Sequence, residues 1–277
     1  MKNIFKHALK VTNNTIILTI PLIIFVKLLD LYSTYSRQHL DSTPKFIIAS
    51  FTLLFMFCVF SAGWFYMVKS AVKLSKKVFI LDQDRAKATM GLFKTILDGI
   101  GKYFLSFVGA SLIYIFIIQL IAAQIVLLLG SKIIGSLDEA SLQILQEISS
   151  SDMTNMSLLL DKMTPEMIVF FGKWSLLFIL VSFVFSYLLI LWIPEILYKE
   201  INPLKALATS IMKLFTNFFE TFSLYLILWL IGFVILFANT FAIINPFTYL
   251  LMSIVMFYFF VYIAVTVFLY YDTKYEE

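Results

Sequence analysis

The most conspicuous pattern along the chain is the alternation of long apolar stretches with shorter polar segments. Six stretches are long enough to cross a hydrocarbon core of about 30 Å, which takes roughly 20 helical residues. Within lipid, helices of this length satisfy their backbone hydrogen bonds internally. The pattern therefore predicts an all-α polytopic membrane protein with six transmembrane helices, in one membrane domain of residues 1–277. The predicted spans are Thr15–Leu31, Phe46–Val68, Tyr103–Leu129, Ile168–Ile193, Thr221–Ala242 and Phe247–Tyr271.

The composition of the 277-residue chain points to the same class. Hydrophobic residues make up 61% of it and charged residues 14%, whereas soluble proteins contain about 45–50% and about 25%. One cysteine, Cys58, and two histidines, His7 and His39, exclude a disulfide framework and argue against a zinc site or a histidine-based triad. We therefore predict no cofactor or metal. The formal net charge of +4 is too mild to indicate nucleic-acid binding.

Lysine and arginine are distributed unequally between the two sides of the predicted membrane. With a cytoplasmic N-terminus, the inside segments hold 15 of the 21 basic residues and the outside loops hold 4, since Lys27 and Lys173 lie within predicted spans. The positive-inside rule then places both termini in the cytoplasm. This predicts a multi-pass protein of a bacterial-type cytoplasmic (inner) membrane. No small-x-small cleavage site follows the first apolar stretch, so we expect an uncleaved first helix.

Two cytoplasmic segments contain an amphipathic stretch that mixes lysines with apolar residues. These stretches are Asp82–Phe104 and Ile201–Phe222. Basic amphipathic helices with no room to span lie in the membrane interface and attract anionic headgroups. The sequence therefore predicts two cytoplasmic interfacial helices. The candidate contacts for lipid headgroups or a cytoplasmic partner are Lys87, Lys94, Lys205 and Lys213.

The two amphipathic stretches also share a sequence pattern. Arg85-Ala86-x-Ala88-Thr89 precedes Lys205-Ala206-x-Ala208-Thr209 by 120 residues, and each stretch lies between two spans. This spacing favours a parallel repeat of residues 46–129 and 168–242. Two unrelated connectors that are both basic and amphipathic can also resemble each other through composition alone, and this is the alternative to a repeat.

Charged residues inside the spans are the first candidates for function, and the predicted spans contain few of them. Lys27 and Asp30 lie three residues apart near the outer end of the first span, where an exposed surface pair is expected. Glu195 follows Pro194 at the inner end of the fourth span. A proline kink there would direct the carboxylate toward Lys199 or the basic interfacial helices. Glu195 is thus the candidate internal counter-charge, with an ordinary interfacial acid as the alternative.

Three residues carry signals for the start of a helix. Thr164, Asn202 and Asn245 each precede a proline, which combines an N-cap side chain with proline at the first helical position. Neither Asn-Pro pair has the alanine that follows in aquaporins, so we interpret both pairs as helix starts. The predicted extracytoplasmic loop 130–164 contains an amphipathic segment, Ser136–Ile148, that predicts a short surface helix.

The polar residues of the spans give little support for catalysis. Gln119 and Gln124 in the third span predict interhelical hydrogen bonds, with a substrate path as the rarer alternative. An intramembrane enzyme needs two catalytic groups at one depth. Glu195 and Asp30 lie at opposite faces of the predicted membrane, so we predict that the protein is not an enzyme.

One segment carries a resemblance to a known family. Pro203-Leu204-Lys205-Ala206-Leu207-Ala208-Thr209-Ser210 resembles the P-x-x-A-L-x-x-S segment that precedes a span in bacterial six-helix integral membrane proteins, with the serine one place late. These proteins are like the membrane domain beside glycerophosphodiester phosphodiesterases. The resemblance implies a membrane-embedded, non-catalytic module. The sequence has no acidic and histidine cluster for the phosphodiesterase itself.

Two functions follow as expectations. The first is a non-catalytic lipid-binding or assembly module whose partners are anionic membrane lipids, with no nucleic acid. The alternative is a permease subunit of a transporter energised by a separate ATPase, because the chain has no phosphate-binding loop of its own.

Overall fold

A computed structural model describes residues 2–39, 42–135, 164–242 and 245–276. All regular elements in these ranges are helices, which confirms the all-α class. Six helical segments are long and apolar enough to cross a membrane, as predicted. The helices are α1 (Lys2–Asn14), α2 (Thr19–His39), α3 (Thr43–Ser75), α4 (Asp82–Met90), α5 (Leu92–Ile113), α6 (Gln119–Ile133), α7 (Pro165–Leu189), α8 (Trp192–Lys199), α9 (Pro203–Thr216), α10 (Phe218–Ala242) and α11 (Pro246–Tyr275).

Two short irregular helices join some of these elements. A 3₁₀ turn, Ile16–Leu18, links α1 to α2, and a π-helical segment, Tyr114–Ile118, links α5 to α6. The chain forms two compact units, the larger comprising Met1–Ile113 with Leu188–Glu277 and the smaller Tyr114–Tyr187.

The most extensive helix pairing in the larger unit is between α3 and α5. A Cβ atom on Gly63 would lie 2.7 Å from the side chain of Ile96, and one on Gly99 would lie 2.8 Å from the carbonyl oxygen of Ala62. Small residues let helix backbones approach closely in membranes, where packing rather than the hydrophobic effect drives association. The pair Gly63 and Gly99 therefore sets the distance between these helices.

The N-terminal segment forms an amphipathic helix that the sequence pattern did not predict. Ala8 and Val11 on α1 are buried, while Lys6 and Lys10 are exposed. Helix α1 packs against α11, where the Tyr262 hydroxyl donates to the backbone carbonyl of Phe5. The burial of one face against a spanning helix explains why this short segment is ordered as a helix.

The three predicted helix starts are confirmed. The Thr164 hydroxyl accepts from the backbone N–H of Met167 at 3.3 Å, and α7 begins at Pro165. The side-chain oxygens of Asn202 and Asn245 each accept from the backbone N–H two residues on, at 2.9 Å. These bonds satisfy N–H groups that the first turn leaves free.

The helix break before Glu195 also follows the sequence. Helix α7 ends at Leu189 and α8 begins at Trp192, just before Pro194. Proline cannot donate the backbone hydrogen bond that would continue the preceding turn. Helix α8 in turn ends at Glu200, whose φ of 54° lies in the left-handed region that ends many helices.

The two predicted amphipathic stretches form different arrangements of helices in the structure. In the first, α4 ends at Met90, and Lys94 belongs to α5, which continues without interruption to Ile113. In the second, α9 is a separate helix that ends before Asn217. Lys94 therefore lies on the first turn of a long spanning helix rather than on a separate interfacial one.

In the smaller unit, α6 approaches α7 closely at one point. A Cβ on Gly130 would lie 2.1 Å from the ring of Trp174, so only glycine fits there. Gln119 and Gln124 are exposed on α6, and the described residues show none of the interhelical hydrogen bonds that the sequence predicted for them. The predicted surface helix Ser136–Ile148 lies outside the described residues.

The lateral surface of the spanning helices is strongly apolar. On α3, for example, Phe46, Ile48 and Phe51 are each at least 60% exposed. Exposed apolar surface this extensive is incompatible with water and is typical of a lipid-facing wall. The protein is an integral membrane protein with six candidate spans.

Candidate functional site at the basic end

Most charged residues of the larger unit lie at one end of its helices. This end comprises α1, α4, α8, α9, the N-terminal end of α5 and the C-terminal ends of α3 and α11, and we call it the basic end. It carries the described part of both chain termini and is the end that the distribution of basic residues assigns to the cytoplasm.

Glu195 lies at the centre of a buried polar cluster at the basic end. Its side chain is 2% exposed, and one carboxylate oxygen, Oε2, lies 2.6 Å from Nζ of Lys213 and 2.6 Å from the hydroxyl of Tyr271. The Thr209 hydroxyl lies 3.0 Å from the other oxygen. We call Glu195, Thr209, Lys213 and Tyr271 the inner cluster. Because each acidic oxygen has a donor, the cost of burying the charge is offset.

Lys213 is held in the inner cluster by more than its salt bridge. It also donates to the Tyr271 hydroxyl at 2.7 Å, and its Nζ lies 4.6 Å from the centre of the Tyr271 ring and 4.9 Å from that of Tyr275. Cation–π contacts of this length stabilise a partly desolvated ammonium group. The interaction ties α9 to α8 and α11. The Glu195 carboxylate therefore contacts the basic stretch Ile201–Phe222, one of the two directions predicted for it, and the interfacial position of that stretch stays a prediction.

The other three candidate lysines are in a different environment. Lys87 on α4, Lys94 on α5 and Lys205 on α9 are exposed, and the part of the chain that the structure describes provides no ion-pair partner for any of them. Their ammonium groups are available to solvent or to a membrane surface. The structure thus separates Lys213 from the three residues with which the sequence had grouped it.

Lys199, the alternative partner for Glu195, pairs elsewhere. Its Nζ lies 2.7 Å from the carboxylate of Glu276 beyond the end of α11. A neighbouring pair joins Lys76 to Asp272 at 2.6 Å, with the Asp272 side chain 5% exposed. Both pairs connect the C-terminal end of α11 to other helices of the basic end.

A buried lysine on α3 was missed by the sequence analysis. Lys69 is 5% exposed and donates to the backbone carbonyl of Leu197 at 2.6 Å, in the last turn of α8. Its Nζ also lies 4.9 Å from the centre of the Tyr198 ring. Carbonyl groups at a helix C-terminus lack helical partners and carry partial negative charge, so they stabilise a cation. The predicted span ended at Val68, one residue before Lys69.

Glu200 forms a more exposed contact with α5. Its carboxylate accepts from Nζ of Lys102 and, at 3.0 Å, from the Tyr103 hydroxyl. The Lys102 hydrogen bond is the main reason that the pKa of Glu200 lies below its ordinary value. This contact fixes the C-terminal end of α8 against α5.

The arrangement can hold helices together and can present positive charge. In the described residues, no group of three or more His, Cys, Asp and Glu side chains is placed to hold a metal ion. Tyr271 and Thr209 were not among the predicted residues. An acid beside aromatic residues at the end of the last span, Tyr270-Tyr271-Asp272, is the local signal that could have indicated Tyr271, whereas no such signal marks Thr209.

The comparisons with known proteins add no further constraint. No family model, curated protein or solved structure matches the chain. The resemblance of the segment Pro203–Ser210 to bacterial six-helix membrane proteins therefore stays a prediction.

Proposed function

We propose that this integral membrane protein is a non-catalytic module whose basic end binds anionic lipid headgroups at the cytoplasmic face of a bacterial-type membrane. The observation that carries the proposal is the set of exposed lysines Lys87, Lys94 and Lys205, which have no acidic partner among the described residues. They come from three different helices of one end. Positive charge that the protein does not itself neutralise is available to anionic headgroups.

The expected strength of this interaction is modest for each residue and substantial for the set. A lysine near an anionic membrane surface contributes about 1 kcal/mol. Three such lysines would contribute about 3 kcal/mol at low ionic strength, and less when salt screens them. Lys213 contributes little to such binding because Glu195 already neutralises it.

The test measures which lipids the protein retains when it is purified. The full chain is extracted in mild detergent from membranes of mixed anionic and zwitterionic phospholipid, and the bound lipid is quantified by mass spectrometry. For K87Q/K94Q/K205Q we expect the anionic enrichment to fall about tenfold or more, since three contacts are lost. Lys213 is left unchanged so that the inner cluster stays intact.

A matched control removes three positive charges from the predicted opposite face. R37Q/K45Q/K132Q neutralises basic residues of the predicted outside segments. We expect it to retain the enrichment of the unaltered protein. Equal losses in both triple variants would show that the effect is one of overall charge and would refute the proposal.

A second proposal is assembly with another membrane protein or with an ATPase subunit. The observation that favours it is the tie between α9 and the spanning helix α11 through Lys213, Glu195 and Tyr271. A partner that moved α9 would thereby move α11. Native mass spectrometry of the gently extracted protein tests this proposal, because a stoichiometric protein partner supports it and a chain that carries lipid alone contradicts it.

A further inference from the structure

A cavity at the basic end lies apart from the lysines of the proposed function. It has a volume of about 320 Å³ and lies between α1, the C-terminal end of α3 with the loop after it, and α4. This is near the lower limit for small-molecule sites, which measure about 300–1,000 Å³. The cavity is therefore large enough for a polar headgroup but too small for a whole lipid. We call it the headgroup cavity.

The lining of the headgroup cavity is basic. Lys10, Lys76, Lys77 and Arg85 line it, and among the described residues no Asp or Glu does. Two of the four cations are paired from outside the lining, because Asp272 lies against Lys76 and Asp82 against Arg85. Lys10 and Lys77 have no acidic partner in the described ranges.

The cavity also contains neutral groups that can donate hydrogen bonds. The side-chain amide of Asn14 and the imidazole of His7 line the same wall of α1 as Lys10. Phosphate oxygens accept several hydrogen bonds at once and are favoured by nearby ammonium groups. The lining chemistry thus matches a phosphate group.

A separate apolar groove lies further along the chain segments that line the headgroup cavity. It has a volume of about 490 Å³, and its lining, which includes Ile24, Phe55, Val59 and Ile96, has almost no polar surface. Three stretches of the chain contribute to both sites. Thr15, Leu74 and Thr89 line the headgroup cavity, and Pro21, Trp64 and Phe93 of the same stretches line the groove. Leu74 and Trp64 are ten residues apart on α3, which corresponds to about 15 Å.

Two exposed apolar residues of the loop after α3 favour an opening of the headgroup cavity toward the membrane surface. Val78 lines the cavity and is 93% exposed, and Ile80 is 96% exposed. Large apolar side chains that are so exposed, directly after Lys76 and Lys77, are typical of segments that insert at the boundary between headgroups and acyl chains. The ligand therefore reaches the cavity from the lipid.

We infer that the headgroup cavity and the apolar groove together form a site for one anionic phospholipid. Its phosphate contacts Lys10 and Lys77, and an acyl chain lies in the groove between α2, α3 and α5. This site uses different residues from the diffuse binding by Lys87, Lys94 and Lys205. It extends the proposed function from a charged surface to a single specific lipid.

The experiment titrates the delipidated full chain in detergent with phosphatidylglycerol and, separately, with phosphatidylcholine. Native mass spectrometry counts the bound lipids. We expect one phosphatidylglycerol to bind more tightly than any phosphatidylcholine. For K10Q/K77Q we expect that binding to weaken about tenfold or more, because two contacts to the phosphate are lost. The matched variant K45Q/K132Q removes the same charge from the predicted outside segments and should keep the single tight lipid.

Two further measurements separate the possible ligands. Inorganic phosphate is added as a competitor, and the variant V59F narrows the groove without changing charge. A membrane lipid site predicts weak competition and weaker binding of long-chain phosphatidylglycerol in V59F. Strong competition by inorganic phosphate together with an unaffected V59F would identify a site for soluble phosphate and would overturn the lipid assignment.

The outcomes distinguish this site from the proposed function. Loss of the tight lipid in K10Q/K77Q alone supports the site, whatever K87Q/K94Q/K205Q does to overall enrichment. Equal binding by K10Q/K77Q and the unaltered protein refutes the site and leaves the proposed function standing. The single variants K10Q and K77Q repeat the test with smaller changes, and each should lose part of the affinity.

Discussion

The inner cluster and the headgroup cavity lie at the same end of the larger unit, but they differ in whether an acidic residue compensates the charge of their lysines. In the inner cluster, Lys213 is neutralised by Glu195 and supported by Tyr271. In the cavity, Lys10 and Lys77 have no described acidic partner. A lysine that the protein compensates internally holds helices together, whereas one that it leaves uncompensated is available to a ligand.

Burial explains why the two regions differ in this way. The Glu195 side chain is 2% exposed, so an uncompensated charge there would be expensive. Lys10 and Lys77 are exposed, so their charges do not carry this cost of burial. The comparison therefore predicts that stability depends on the inner cluster and that lipid affinity depends on the cavity.

The largest expected effect on stability comes from breaking the inner cluster. In K213M, the Glu195 carboxylate stays buried without its cation. Removing one partner of a buried pair costs about 3–5 kcal/mol, and the remaining donors, Tyr271 and Thr209, favour the lower end of that range. The measurement is the free energy of unfolding in detergent micelles.

A double-mutant cycle shows whether the cost comes from the pair itself. E195Q/K213M removes both charges, so we expect it to be more stable than K213M alone by about 1 kcal/mol or more. Additive effects of the two single substitutions would mean that Glu195 and Lys213 do not interact energetically. The inner cluster would then lose its assignment as the tie between α8, α9 and α11.

A much smaller effect is expected from the cavity lysines. K10Q and K77Q change exposed side chains without described acidic partners, so the unfolding free energy should change by less than about 0.5 kcal/mol. The same micelle assay measures this, with lipid-free protein so that ligand binding does not contribute. A loss of stability comparable to that of K213M would show that these lysines have a structural role and would remove the contrast between the two regions.

Local patterns in the sequence were sufficient to predict the helices but not the contacts between them. The six spans and the caps at Thr164, Asn202 and Asn245 depend on composition and on neighbouring residues. The partner of Glu195 on α11 lies 76 residues away. Which of many tyrosines reaches a carboxylate depends on how the helices pack, which no local pattern encodes.

The role of a charged residue was equally hard to predict from its type. Lys205 and Lys213 lie eight residues apart on α9 and looked alike in the amphipathic pattern. One is exposed and the other contacts Glu195, because they face different neighbours once the helix is packed. Lys69 was missed for a related reason, since its buried partner is a backbone carbonyl of α8 that has no sequence signature.

A comparably small effect, this one dependent on pH, concerns Glu200, a paired charge that is not buried. Hydrogen bonding by Lys102 lowers the pKa of Glu200 from its ordinary value of 4.5 in the folded protein. The folded state therefore binds this proton less readily than the unfolded state, and the contact stabilises the protein above pH 4.5. The stabilisation is lost as the pH falls through the lower, folded-state pKa. Since both side chains are about half exposed, the contribution is about 0.2–1 kcal/mol.

The substitution E200Q isolates that contribution. The unaltered protein should be slightly more stable than E200Q near neutral pH, and the difference should shrink as the medium becomes more acidic than the ordinary pKa of glutamate. K102Q should reduce stability by a similar amount with the same pH dependence. A difference that grew toward acidic pH would mean that folding raises the pKa of Glu200. The Lys102 contact would then not stabilise the Glu200 carboxylate, and the assignment of Glu200 to the exposed, paired charges of the basic end would be wrong.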